Sequence, residues 1–274
     1  MFSLAVFQRM MDSALPLEKL SLGPKDNDNG ETTYVVLLSA GSFNPPTYMH
    51  LRLFELAKDA LNSEGFTVIG GYMSPVNDAY KKKGLLSAEH RIPMCNLACR
   101  SSEFIMVDPW EANQSTFQRT LTVLSRIRSS LSDNGLVPSA SLKVMLICGS
   151  DLLESFSTPK VWIPEQVRTI CRDYGVVCIR REGQDIEKLI ASDEILNEFK
   201  SNIKIVDEIV PNRISSTIVR DCVSRSLSVK YLVADEAVAE ITFCMFSKIC
   251  TAKWLFSSDK VAVFMESKTC CLVL

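Results

Sequence analysis

Histidine is scarce in this chain: 274 residues carry only His50 and His90. None of the ten cysteines forms a CxxC pair. Together these shortages argue against a zinc site of the usual kind, which needs closely spaced thiolates with imidazole support, and no metal ligand is expected from spacing. Several cysteines instead sit inside apolar runs, as Cys148 does in "VMLICG" and Cys178 in "GVVCIR". They read as buried free thiols in a reducing compartment. Excess charge is also missing. A formal net charge of −2 excludes broad, charge-driven binding to nucleic acid, though a small basic pocket needs only a few cations. No stretch reaches the ~18 apolar residues of a membrane span. The opening "MFSLAVFQRMMDSALPLEKL" lacks the basic lead and small-residue cleavage pattern of a secretory signal, and Met11 could serve as the start. These absences predict a soluble protein of the cytosol or nucleus.

What is present is a regular alternation. Short β-branched runs fit strands at 34–40, 66–73, 104–108, 142–149, 175–181 and 203–210. Longer amphipathic stretches fit helices at 47–62, 87–101, 114–132, 163–173, 184–200 and 215–227. Strands alternating with helices imply βαβ units, so the expected fold is α/β: a Rossmann-like, doubly wound, mainly parallel sheet with flanking helices. The chain divides into a flexible N-terminal lead-in (1–33), a catalytic domain (34–232) and a C-terminal helix and tail (233–274). In an open parallel sheet, ligands bind beyond the carboxyl ends of the strands, at the switch in strand order. The segments that follow the strands are therefore the place to look for function.

The first of them, "GSFNPPTYMH" (41–50), has a clear physical logic. Gly41 allows close backbone approach, Pro45 and Pro46 stiffen the turn, and Thr47 can cap the next helix. His50 then lies in the first turn of that helix, beside unsatisfied amides and the positive dipole end, which is an anion site with an imidazole attached. A helix N-terminus lowers a histidine pKa, so His50 would act as a neutral donor, or as a cation only when phosphate is bound. The plainer alternative is a histidine packed under the turn. In "NRISSTIVR", Ser215, Ser216 and Thr217 open another helix, and Arg220 follows one turn on, able to grip two phosphate oxygens. Its plainer alternative is a serine-rich cap with a surface arginine.

The pattern G-x-F-x-P-x-T-x-x-H resembles the signature of the nucleotidyltransferase superfamily. With "SPVNDAYKKKGL", "DPWE", "LICGSDLLESF", "VWIPEQ" and "ISSTIVR", residues 34–232 resemble the eukaryotic nicotinamide/nicotinate mononucleotide adenylyltransferases. The resemblance implies that ATP and nicotinamide or nicotinate mononucleotide are the substrates, and that Mg²⁺ is carried mainly by their phosphates. Carried over by position, Gly41 and Ser42 contact nucleotide, and His50, Lys83 and Arg220 neutralise phosphate charge. Asn212, Ser215, Ser216 and Thr217 complete the ATP side. Ser42, Trp110, Phe117, Thr120, Gly149, Asp151 and Trp162 line the mononucleotide side. For Lys81 or Lys82 taken alone, a solvated face and a functional role both stay open, and one functional lysine in the run is expected. Such relatives are homo-oligomers, and no nucleic-acid partner is implied. The alternatives are another transferase of the superfamily and a non-catalytic, chaperone-like relative.

The resemblance departs in two places. Pro93 falls within the second expected helix and should remove one backbone bond and kink it. Beyond "SVKYL", "VADEAVAEI" can begin a helix, but the Cys- and Phe-rich remainder matches no family pattern. Its last four residues, from Cys271, read either as an unrelated tail or as a C-a-a-X box whose prenylation would attach the chain to membranes.

Overall fold

The computed structural model describes residues 14–22, 32–135, 137–158, 160–210 and 212–253. Six strands, β1 (Tyr34–Gly41), β2 (Thr67–Pro75), β3 (Ile105–Val107), β4 (Leu142–Gly149), β5 (Val176–Ile179) and β6 (Ile203–Val206), form one sheet. Their order is β3-β2-β1-β4-β5-β6 and every neighbouring pair is parallel. The chain winds outward from β1 in one direction, then resumes at β4 and winds out in the other. The switch therefore lies between β1 and β4. This is the doubly wound arrangement that the alternation of elements predicts.

The helices are α1 (Tyr48–Ser63), α2 (Ala88–Cys99), α3 (Thr120–Asp133), α4 (Ser150–Ser155), α5 (Pro164–Thr169), α6 (Ile186–Ser192), α7 (Glu194–Glu198), α8 (Ser216–Ser224) and α9 (Asp235–Lys253). A wider π-type turn, Ile170–Tyr174, extends α5. Helices cover both faces of the sheet, so its strands read as continuous apolar runs. Along β1, Val36 and Leu38 join one core cluster while Val35 and Leu37 join the other, the period-two split of a strand buried on both sides. Cys148 and Cys178 are buried in the first cluster. All seven cysteines among the described residues with described side chains are free.

Two adjacent glycines in β2 set how closely the layers approach. A Cβ on Gly71 would stand 2.7 Å from Cδ1 of Phe54 in α1, and one on Gly70 would collide with the Leu20 side chain. Leu20 belongs to the expected lead-in, yet residues 14–22 are docked on the sheet. Tyr72 donates its hydroxyl to Pro16 O at 2.6 Å, and Lys19 Nζ donates to Cys99 O, Ser102 O and Ile105 O at 2.7–3.1 Å. Residues 23–31 lie outside the described part.

The remaining differences from expectation have local causes. The helix expected from residue 114 begins at Thr120, because residues 109–119 form a looped segment. The one expected over 184–200 breaks at Asp193, whose carboxylate accepts from Leu196 N–H and starts α7. α2 runs through Pro93. The six-residue α4 is too short to show periodicity in the sequence. At the C-terminal end, Ala237, Ile241 and Cys244 of α9 share a third core cluster with Met94 and Ala98 of α2 and Val219 and Val223 of α8. The rest of the tail, Cys271 included, lies outside the described residues. No helix among the described residues is long and apolar enough to cross a membrane.

Candidate active site

The turn after β1 is held in an unusual conformation. Phe43 has a φ of +41°, a left-handed value that costs a bulky residue on the order of 1–3 kcal/mol. Its surroundings hold it there. Its ring is buried and meets His50 edge-on at 5.2 Å. Asn44, also buried, donates to Gly84 O at 3.0 Å and accepts from Leu86 N–H at 3.1 Å. Ser216 Oγ donates to Pro45 O at 2.8 Å, and Arg220 donates to Asn44 O at 2.9 Å. The fully buried Arg91 of α2 spans the base of the turn, donating to Ser42 O (3.0 Å), Leu86 O (2.7 Å), Val76 O (2.6 Å) and Asp78 Oδ1 (2.7 Å). The exits of β1 and β2 are thereby tied together.

His50 is the third residue of α1 and completes a capping box. Thr47 N–H donates to His50 Nδ1 at 3.0 Å, with Thr47 Oγ1 at 2.7 Å from the same nitrogen. With Nδ1 accepting, the neutral ring carries its proton on Nε2, which is left as a donor. Burial, with Arg181 and Lys82 nearby, lowers the His50 pKa to about 4. The helix N-terminus was expected to lower it. Desolvation by burial and the two cations are the causes that lower it here.

His50 lines a cavity of about 290 Å³ at the switch point, bounded by the exits of β1, β4 and β5 and the start of α8. Of the residues expected from sequence, Ser42, His50, Gly149, Asp151, Ser215, Ser216, Thr217 and Arg220 come together in its wall. Ser215 caps α8, accepting from Ile218 N–H at 3.3 Å, so the amides of that helix start face the same space. Arg220 Nη2 donates to Thr217 Oγ1 at 3.1 Å, and burial lowers its pKa.

Two cations in the wall were not anticipated. Lys82, rather than Lys83, lines the cavity and donates to Ser42 Oγ at 3.0 Å. Burial and the Arg220 charge lower its pKa. Lys83 is exposed, as Lys82 is in part, and lies outside the wall. In a run of three lysines the sequence does not reveal which side chain turns inward. Arg181, at the exit of β5, is the second, ion-paired to Asp151 at 2.6 Å. Ser150 Oγ accepts from Arg181 N–H at 2.8 Å, and the guanidinium packs over Gly149, where a Cβ would lie in contact at 3.4 Å from Arg181 Nε. Applying the strand-exit rule to β5 as well would have found this residue.

The other expected residues stand outside that cavity. Gly41 closes β1 behind the turn, and Asn212 borders a separate groove beside α1. Trp110, Phe117 and Thr120 belong to the loop after β3 and the start of α3. The Arg126 guanidinium covers the Trp110 ring at 4.9 Å and pairs with the buried Asp108 at 2.7 Å. Phe117 is exposed and stacks on Tyr80 at 5.7 Å, with 23° between the rings. Trp162 donates from Nε1 to Ser155 Oγ at 3.0 Å and meets Phe156 edge-on at 4.6 Å. Glu111, missed in the sequence, anchors the β3 loop to the β2 exit. It accepts from Ser74 Oγ at 3.2 Å, and burial pushes its carboxyl pKa up to about 8.

A doubly wound parallel sheet with a cationic cavity at its switch point defines a nucleotide-handling α/β protein, and residues 38–222 match the Cytidylyltransferase-like family. Nicotinamide/nicotinic acid mononucleotide adenylyltransferase of Arabidopsis thaliana is 68% identical over 228 residues, covering 83% of this chain and 94% of its own. The protein of that name from Oryza sativa subsp. japonica is 65% identical over 231 residues, covering 84% and 92%. Plasmodium falciparum nicotinic acid mononucleotide adenylyltransferase complexed with NaAD shares the fold, with a TM-score of 0.55 at 17% identity over 76% of this chain and 94% of that one. The chain belongs to the nicotinamide/nicotinic acid mononucleotide adenylyltransferase family.

Proposed function

We propose that the cavity at the switch point holds the ATP phosphates while this enzyme joins AMP to nicotinamide or nicotinate mononucleotide, forming NAD or deamido-NAD and pyrophosphate. One observation carries the site assignment: His50, Lys82, Arg181 and Arg220 converge with the start of α8 in a single cavity. Only a polyanion would neutralise that many donors and cations in so small a space.

The 5′-phosphate of the mononucleotide forms a bond to the α-phosphorus of ATP as the bond from that phosphorus to the β-phosphate oxygen breaks. Pyrophosphate leaves with the electron pair. A phosphate monoester has a second pKa of ~6 and is already ionised at neutral pH, so no general base is needed. The cavity wall fits this requirement, since its one carboxylate, Asp151, is engaged by Arg181. Rate enhancement comes from positioning and from donors preorganised around developing charge. His50 Nε2–H supplies a neutral donor. Lys82, Arg181 and Arg220 supply positive charge to the α-phosphate and the leaving group. Mg²⁺ enters with ATP as part of the substrate, because the wall offers no free set of carboxylates to cage it. Trp162 and Phe117 would offer rings on which the pyridine stacks, and Lys83 is assigned no catalytic role.

Incubating the purified chain with Mg²⁺, ATP and either mononucleotide should release pyrophosphate and form NAD or deamido-NAD, read by chromatography. Absence of both products from a folded sample would overturn the reading. Homo-oligomeric assembly and membrane attachment through Cys271 are further parts of the proposal. Light scattering and the intact mass from eukaryotic cells test them.

A further inference from the structure

The second of the two histidines has no part in the cavity. His90, in the first turn of α2, faces Glu240 and Cys244, which stand one turn apart on α9. His90 Nδ1 lies 3.3 Å from Cys244 Sγ and 3.9 Å from Glu240 Oε1, and Cys244 Sγ lies 3.2 Å from Glu240 Oε1. The three ligand-type atoms all fall within 4.8 Å of one another. A tetrahedral zinc ion bound at ~2.3 Å to sulfur and ~2.0–2.2 Å to nitrogen and oxygen separates its ligand atoms by roughly 3.3–3.6 Å. The two separations that involve sulfur are about 0.2–0.3 Å shorter than such an ion sets and the nitrogen–oxygen separation about 0.3 Å longer, differences that small side-chain rotations close.

We propose that His90, Glu240 and Cys244 form a three-ligand site for a zinc-class divalent ion, clamping α9 to α2. The donor set favours such an ion. Thiolate and imidazole select zinc over magnesium or calcium, and one thiolate with one carboxylate balances a dipositive charge. Cys244 is only 4% exposed, whereas the side chains of His90 and Glu240 are 42% and 36% exposed. Water can therefore reach the fourth position. Without metal, Cys244 donates its proton to Glu240, and burial beside that carboxylate pushes the thiol pKa up to about 12. Binding must then expel one proton from Cys244 to solvent, while His90 binds as the neutral ring through Nδ1. Residue 90 is remote in sequence from 240 and 244, so no short ligand motif announces the site. It is independent of the adenylyltransferase reading, since none of the three residues lines the catalytic cavity.

The test uses the full chain, reduced with a phosphine and stripped of metal, titrated with Co²⁺ and then Zn²⁺. One equivalent of Co²⁺ should produce tetrahedral d–d absorption and a thiolate-to-cobalt charge-transfer band, with one proton released and both bands lost to Zn²⁺. Zinc at ~100-fold above its Kd should raise Tm by about 5 °C. Cys244→Ser should abolish the charge-transfer band. His90→Gln, at a more exposed position, should keep the fold and weaken binding at least 10-fold, with turnover of the metal-free enzyme unchanged in both. Absence of the band, or a band that survives Cys244→Ser because another cysteine supplies it, overturns the proposal.

Discussion

The phosphate half of the site and the pyridine half are built in different ways. On the proposed phosphate side, His50 and the Ser215–Thr217 cap come from the first turns of α1 and α8, and Arg220 follows one turn further along α8. Their side chains converge on one cavity. On the proposed pyridine side, Trp110, Phe117 and Trp162 come from the segments after β3 and α4. Each packs on its own neighbour: Arg126, Tyr80 and Phe156. Charge must be met by donors already in place, because reorienting dipoles during the reaction adds to the barrier. A flat apolar ring needs only a flat surface, which can close after the ligand arrives.

Substitutions can break that contrast. The largest effect should come from Arg220→Ala, which removes a guanidinium from the cavity and its bond to Asn44 O. A fall in kcat/KM for ATP of roughly 10²–10³-fold is expected in steady-state assays. Lys82→Ala should lower kcat/KM about 10²-fold, whereas Lys83→Ala should stay within about twofold. Equal losses in the two variants would place both lysines on substrate. On the pyridine side, Trp162→Ala should raise KM for the mononucleotide about tenfold, as stacking on an aromatic ring contributes ~1–3 kcal/mol per base, and leave kcat closer to wild type.

The smallest expected effect sharpens the comparison through pH. Burial raises the Glu111 carboxyl from its ordinary 4.5 to about 8. Such a group supports the fold fully below its unfolded pKa and loses that support as pH rises through the folded value. Wild-type stability should therefore decline between about pH 4.5 and 8 relative to Glu111→Gln, which mimics the protonated acid. Thermal melts should show the two proteins alike near pH 4.5 and the variant a few degrees more stable at pH 8. A gap that does not change with pH would mean that Glu111 is ionised in the fold.

Much of this architecture is legible in the residues. Strands covered on both faces must be apolar throughout, and β1 and β4 can be read from "YVVLLSA" and "LKVMLICG" alone. Helix starts announce themselves through Thr47 and Ser215, so the anion-binding geometry follows from local chemistry. Which lysine of "KKK" turns inward depends on the path of the loop after β2, and no local rule sets it. Arg91 reads as an ordinary helix residue, and only the tertiary fold surrounds it with four acceptors. The docking of residues 14–22 depends on Gly70 accepting Leu20, a contact between segments far apart in the chain. The groups that sequence reasoning missed are those whose partners are distant.

In the proposed mechanism a neutral His50, held by Thr47 with Nε2–H as a donor, stabilises charge on the transferring phosphate. The kcat of His50→Ala measures this most directly. Alanine removes the imidazole donor together with the bond that Nδ1 accepts from Thr47 N–H. A fall in kcat of roughly 10²–10³-fold is expected, with Tm lowered by no more than the loss of one helix-cap contact, about 1 kcal/mol. Wild-type turnover in this variant would contradict it, making His50 a helix cap and nothing more.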